Sequence, residues 1–265
     1  MIYACMSDIH GRGTQLLDCL NAVEQFKKDH PREQVKLVFL GDYCDRGTEN
    51  LLVLDTIMDI KNKYPDSIII FGNHEEFFVG TFDYGSILGT VTQSYNASPT
   101  KVLNIWTYSG NGGDRTIAEL KPYFNPNDEM CNAKIDGYVN FLKSLPDRVQ
   151  ENNFIFTHAP IESKYFRRDV ALESIPNSAV RWNIDTNTLP KKFRKFINVH
   201  GHVHRQAYCC LINPGTCTIN VCTYPNLSVT FLSSDKPIED TLIWTYQSTI
   251  SQLKPDHTYV VNYLD

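Results

Sequence analysis

Five apolar runs in this chain each end in a side chain that can bind a metal ion or handle a proton. Ile2 to Met6 leads into Ser7-Asp8-Ile9-His10-Gly11, Val35 to Leu40 into Gly41-Asp42, and Ser67 to Phe71 into Gly72-Asn73-His74-Glu75. Asn153 to Thr157 leads into His158, and Phe196 to Val199 into His200-Gly201-His202-Val203-His204. One Asp or Asn after a strand is ordinarily a turn former or a helix cap. Five separate strand ends gaining such side chains, most of them inside glycine-bearing turns, is more than turn formation explains. The candidate ligand set is Asp8, His10, Asp42, Asn73, His158, His202 and His204. Carboxylate, amide oxygen and imidazole together suit manganese, iron, zinc, cobalt or nickel better than calcium, which prefers oxygen alone. The set exceeds what one tetrahedral ion needs, whereas two ions sharing a carboxylate, roughly 3.5–4 Å apart, would use it.

These residues need elements that bring strand ends together. After Gly11 the apolar residues Leu16, Leu17, Leu20 and Val23 recur at helical spacing, and Leu51, Leu54, Ile57 and Met58 do so after Gly47. Three strand-loop-helix units in the first 80 or so residues predict an α/β fold with parallel strands, whose ligands gather at the strands' carboxyl ends. Between about 83 and 147 the strand pattern stops and a helical one surrounds Trp106, Ile117, Leu120, Tyr138, Phe141 and Leu142, which predicts a helical insert or cap. Alternating runs at Cys217 to Cys222 and Ser228 to Leu232 suggest a second, more antiparallel sheet. Leu242 to Tyr246 and Tyr259 to Tyr263 read as further strands. With no repeat and no linker, residues 1–265 are expected to form one domain.

Composition narrows the function. A hydrophobic fraction of 42% and a charged fraction of 21% are those of a soluble globular chain. The formal net charge of −5 provides no basic surface for duplex nucleic acid or an anionic membrane. The first residues show no basic and apolar leader, and no apolar run is long enough to span a bilayer, so a cytoplasmic location is expected. Eight cysteines without a CxxC pair are expected as free thiols rather than disulfides or a structural zinc site.

The five motifs, in order, resemble the signatures of the calcineurin-like metallophosphoesterases. Gly41-Asp42-Tyr43-Cys44-Asp45-Arg46-Gly47 followed by Gly72-Asn73-His74-Glu75 is similar to the branch holding the Ser/Thr protein phosphatases, the bacteriophage lambda phosphatase and the bacterial diadenosine tetraphosphate hydrolases. The resemblance spans residues 7 to 204 and implies a four-layer α/β/β/α sandwich of two mixed sheets. It implies that Asp8 and His10 hold a first ion, that Asp42 bridges, and that Asn73, His158 and His202 hold a second. His204 would join the first, although protein-phosphatase relatives usually lack it. It also makes a bacterial or phage-infected host a natural setting.

The remaining residues fit phosphoryl transfer, in which charge spread over equatorial oxygens is met by fixed cations. The planar guanidinium of Arg46 matches two phosphate oxygens at once. A water shared by two divalent ions becomes hydroxide-like near neutral pH and can attack phosphorus. His74 would protonate the leaving oxygen, with Asp45 accepting its other ring N–H; for Asp45 the plain alternative is an ion pair with Arg46. The sequence departs from the family at Ser7, commonly glycine, and at the second phosphate-clamping arginine, for which Arg181 or the Arg167-Arg168 pair are candidates. The expectation is a manganese-dependent phosphomonoesterase acting on phosphoserine or phosphothreonine in proteins or on a small phosphorylated substrate. A nucleotide-directed hydrolase is the alternative, and a binding protein that keeps the fold without catalysis is a third class. Tyr84, Tyr95, Trp106 and Tyr108 could stack on a base, but residues of this kind more often pack an insert.

Overall fold

In a computed structural model, the residues described are 1–83, 99–123, 129–162, 171–184, 196–204, 210–213, 216–234 and 236–248. Tyr84, Tyr95, Arg167, Arg168 and the run Tyr259 to Tyr263 lie outside them.

The apolar runs pair as two five-stranded mixed sheets. In the first, β1 (Ile2–Met6), β2 (Val35–Phe39) and β3 (Ile68–Ile69) are parallel, with Ile2 opposite Val35 and Phe39 opposite Ile69. In the second, β5 (Phe154–Thr157), β6 (Ile197–His200) and β8 (Thr218–Asn220) are parallel. Antiparallel edges are added by β4 (Arg148–Glu151), which joins β5, and β7 (Leu211–Asn213), which joins β8. The alternating runs near the C-terminus divide between the sheets. β9 (Leu227–Ser233) lies antiparallel to β1 and β10 (Leu242–Ser248) antiparallel to β9, both in the first sheet, whereas β8 stays in the second. The expectation that Cys217–Cys222 and Ser228–Leu232 share a sheet is therefore corrected. Alternation marks which side chains share a face but does not choose a strand's partner.

Pleating sorts the side chains of β1. Ile2, Ala4 and Met6 pack with α1 (Gly13–Asp29), α2 (Asn50–Lys63) and α3 (Asn73–Phe82), while Tyr3 and Cys5 face Phe154, Phe156, Val199 and Ile219 of the second sheet. The outer face of the second sheet is covered around Ile155 by Ile161, Ile175, Ala179 and Val180, the last two in the short helix α7 (Ser178–Arg181). The layers are thus helix, sheet, sheet and a thin helical cover. Helices α4 (Pro99–Trp106), α5 (Gly113–Leu120) and α6 (Glu129–Lys143) fall in the stretch read as an insert; Trp106, Leu120 and Tyr138 from them belong to the same core as α3. No helix among the described residues is long and apolar enough to cross a membrane.

Candidate active site

The loops after β1, β2, β3, β5 and β6 converge at the carboxyl ends of the parallel strands of both sheets. Among the described residues eight non-glycine residues have positive φ, and six of them are Asp8, His10, Asp42, Asp45, Arg46 and His202. Left-handed backbone costs a side-chain-bearing residue roughly 1 kcal/mol or more, so packing has to hold these loops in shape. Glycine supplies the close approaches. A Cβ on Gly41, itself at φ +90°, would lie 2.7 Å from the Gly72 Cα and 2.8 Å from His158 Nδ1. Glu75 ties the second and third loops together by accepting the backbone N–H of Asp42 (2.8 Å), Tyr43 (2.8 Å) and Gly72 (2.9 Å). Burial, and then the charge of Asp42, raise its carboxyl to about 7.

Three clusters hold the ligand-type atoms. They are Asp8, His10 and His204; His10, Asp42 and His74; and Asp42, His158 and His202; within each, one atom from every residue lies within 4.8 Å of the others. Asp42 belongs to two of them, as a shared carboxylate would. The ring orientations are set from outside: His10 Nδ1 donates to Cys44 O (3.0 Å) and His158 Nδ1 to Leu40 O (2.6 Å). Each Nε2 therefore faces inward. Around His158 Nε2 stand Asn73 Oδ1 at 2.8 Å, His202 Nδ1 at 3.2 Å and Asp42 Oδ1 at 3.3 Å. Four electron-pair donors facing one another need a cation or a proton between them, and this is the fit expected of a divalent ion. Without an ion a proton serves. Burial is the largest influence on His158 and works to lower it, but Asp42, by charge and hydrogen bond, and then Asp8 raise it to about 9. Burial likewise opposes ionisation of Asp42, and His158 and His74 overcome it, holding the carboxyl well below its usual range. His202 is pushed down to about 4 by burial and by His158.

Asp8 is anchored by Ser7 Oγ, which donates to its Oδ2 at 2.5 Å, and by the His202 N–H at 2.9 Å; His204 Nε2 lies 3.3 Å from Oδ1. The Ser7 departure thus adds a donor to a ligand-type carboxylate. The guanidinium of Arg46 points inward, its Nη1 2.9 Å from His10 Nε2 and 3.3 Å from His204 Nε2, and its Nη2 3.2 Å from His74 Nε2. His74 Nδ1 donates to Asp45 Oδ2 at 2.6 Å. Burial pulls the His74 imidazolium down, but the charge of Asp42 and then the bond to Asp45 raise it above its ordinary value.

Asp45 is fully buried, and its carboxylate is claimed by Trp106 Nε1 (2.7 Å) and Thr116 Oγ1 (2.6 Å) as well as His74. Its partners are these donors rather than Arg46. Trp106, read in the sequence as packing, is the indole that fixes this carboxylate. Arg181 is engaged by carboxylates that are not among these clusters. Its Nε donates to Asp147 Oδ1 at 2.5 Å, Nη1 lies 3.4 Å from Glu76 Oε2, and the guanidinium stands over Phe71 at 4.3 Å. Two carboxylates thus stand beside Arg181, which the sequence offered as a phosphate clamp, and hold it in a buried ion-pair group.

Sequence reasoning missed Glu75 as a loop tie, Thr116, Arg12 and Tyr224. The Tyr224 ring stacks on His204 (4.5 Å, 14°), meets the His10 ring edge-on (5.6 Å) and carries the Arg12 and Arg46 guanidinium carbons at 4.4 and 5.2 Å. Arg12, two residues past His10, lay one step beyond the motif; nothing near Tyr224 in the sequence points to the site.

A family model described as calcineurin-like phosphoesterase matches residues 1–206. The chain is 39% identical over 69 residues to a serine/threonine-protein phosphatase PP1-1 of Saccharomyces cerevisiae, covering 26% of this chain and 21% of that protein. It is 32% identical over 135 residues to a serine/threonine-protein phosphatase PP2A-like PPG1 of Candida albicans, covering 51% of this chain and 26% of that one. The alignments therefore span about a quarter of these relatives or less. A protein serine/threonine phosphatase from Saccharomyces cerevisiae with similarity to human phosphatase PP5 shares the fold, with a TM-score of 0.54 at 14% identity over 97% of this chain and 82% of that one.

Proposed function

The chain belongs to the calcineurin-like phosphoesterase family, and from that premise we propose that it is a phosphomonoesterase that removes phosphate from phosphoserine or phosphothreonine in proteins. The observation that carries this reading is the buried His74–Asp45 pair, 2.6 Å apart, lying beside Arg46 and the clustered ligand-type side chains. Asp8, His10 and His204 would hold one ion, Asn73, His158 and His202 another, and Asp42 both, with manganese the first metal to test and iron, zinc, cobalt and nickel next. When bound, such ions supply positive charge to the phosphoryl oxygens and acidify a coordinated water. Arg46 swings from the imidazoles to grip two equatorial oxygens with its fork. His74 carries a proton on Nε2 for the leaving oxygen, and Asp45 fixes the tautomer and stabilises the imidazolium. Trp106 and Thr116 hold Asp45 so that its lone pairs stay on His74. The partner would be a phosphoprotein, and the free thiols among the described cysteines suit a reducing, cytoplasmic compartment, bacterial or phage-infected.

The position of His204, 3.3 Å from Asp8, favours a nucleotide-directed phosphoesterase as the second reading. The deciding experiment is hydrolysis of para-nitrophenyl phosphate after chelation, with and without added manganese, by wild type and Asp42→Asn. Metal-restored activity that the substitution abolishes supports the reading. Metal binding without turnover of the ester sinks it, and rates on a phosphoserine peptide against diadenosine tetraphosphate separate the two substrate classes.

A further inference from the structure

Arg12 is a half-buried cation that the chemistry above does not use. Its Nη1 donates to the backbone carbonyls of Ile9 (3.0 Å) and Asp8 (3.5 Å), which fix it but carry no formal charge. Among the described residues it forms no ion pair with a carboxylate, unlike Arg181, which has two. Tyr224 by hydrogen bond and the charge of Asp8 support it, but a partly desolvated guanidinium with no carboxylate in direct contact is costly to keep unless a ligand supplies the negative charge. It also shares the Tyr224 ring with Arg46, which puts both cations within reach of one ligand. An open cavity of about 550 Å³ lined by Arg12, Arg46 and Arg115 meets, at Arg46 and Arg115, another of about 500 Å³ lined also by Tyr224 and His204. The site therefore continues past Arg46 as a groove in which Arg12, Arg46 and Arg115 alternate with Asp18, Glu49 and Asp114, and Arg12 is the cation that shares the Tyr224 ring with Arg46. His204 stacks on the Tyr224 ring and the Arg12 and Arg46 guanidiniums lie against it, so the group that completes this place is an anion.

Resting on the phosphomonoesterase reading, we infer that Arg12 is a substrate-binding residue that takes a second anionic group, a carboxylate or a phosphate, next to the phosphoryl group Arg46 receives. The preferred substrates are then phosphopeptides with an acidic residue or a second phosphate beside the phosphoserine. The test uses three peptides whose neighbouring residue is alanine, aspartate or phosphoserine, with wild type, Arg12→Gln and Arg12→Lys, all with manganese. Wild type is expected to favour one or both acidic peptides by roughly tenfold or more in kcat/KM, carried mainly by KM. A preference for aspartate identifies a carboxylate as the natural group, and one confined to the doubly phosphorylated peptide identifies phosphate. Arg12→Gln is expected to level the three, and Arg12→Lys to keep part of the preference through its charge. Binding of the same peptides, with the scissile phosphate replaced by a non-hydrolysable phosphonate, is followed by fluorescence anisotropy. Turnover without any preference in wild type, or a preference that survives in Arg12→Gln, overturns the role of Arg12. No turnover of any peptide, with the binding preference intact and Arg12-dependent, removes the phosphatase reading and leaves the anion subsite standing.

Discussion

Replacing Asp45 with asparagine separates proton donation from everything else the site does. Asp45 accepts from His74 (2.6 Å), Trp106 (2.7 Å) and Thr116 (2.6 Å), and its own N–H donates to Asn50 Oδ1 (2.7 Å). An asparagine of the same shape keeps most of this: its Oδ1 can accept from His74 and Trp106 while its amide donates to Thr116 Oγ1. The Thr116 hydroxyl proton then loses its acceptor, a stability cost of about 1–3 kcal/mol. The larger effect falls on His74. Exchanging a carboxylate for a neutral acceptor removes about 1.5–3 kcal/mol of charge-assisted bonding to the imidazolium, or about 1–2 pKa units. Phosphoserine, whose alkoxide must be protonated, should then lose about 10- to 100-fold in kcat, against about 10²–10⁴ for His74→Asn, which removes the acid itself. Para-nitrophenyl phosphate, whose nitrophenolate leaves without a proton, should lose no more than roughly threefold in either variant. The assay is the pH–rate profile of both esters with wild type, Asp45→Asn and His74→Asn, whose alkaline limb on phosphoserine should move to lower pH in Asp45→Asn. An equal loss on the two esters, or an alkaline limb that stays in place, would refute the acid–base assignment.

The same geometry predicts how the protein behaves without metal. The His158 imidazolium, raised to about 9 from 6.5, is favoured by folding, so its contribution is fully present below pH 6.5 and disappears as pH rises through 9. Its size is on the order of 3 kcal/mol, and the chelated protein should lose melting temperature across that window; a flat melting profile would count against the four-donor arrangement. Because an ion and this proton compete for one nitrogen, manganese affinity should rise over the same window, with protons released into the buffer in a calorimetric titration. Trp106→Phe deletes the indole donor to Asp45 together with part of a buried ring, which should cost at least about 1.5–3 kcal/mol and several degrees of melting temperature; an unchanged melting temperature would show that the bond contributes nothing. In Gly201→Ala the new Cβ would fall 1.7 Å from Ser7 Oγ and 2.4 Å from Asp8 Oδ2. It should therefore weaken metal binding, read as a rise in the manganese Kd of at least about tenfold for a displaced ligand and its support, and an unaltered Kd would remove Ser7–Asp8 packing from the account.

What could be read from the sequence, and what could not, divides along a physical line. The parallel strands and the residues at their tips were legible because each sits within a few positions of an apolar run, and the turn that follows must adopt a backbone that few residues tolerate. Asp8, His10, Asp42, Asp45, Arg46 and His202 all have positive φ, and a ligand-type side chain in such a turn is a local signal. β4 was missed because Arg148–Glu151 is short, polar and mostly half-exposed, leaving little period-2 contrast to find. β9 was assigned to the wrong sheet because partner choice depends on contacts across the whole chain. The supporting residues were missed for the same reason. Trp106 and Thr116 reach Asp45 from 61 and 71 residues away, and His158 finds the Leu40 carbonyl across 118. No window of sequence contains both halves of such a pair. The local signals locate the groups that would touch the substrate, while the bonds that tune them exist only after the helices pack on the first sheet and the second sheet closes on it. A substitution at Trp106 or Thr116 should therefore change the chemistry of a site whose motifs are all intact, and sequence comparison of those motifs alone would not foresee it.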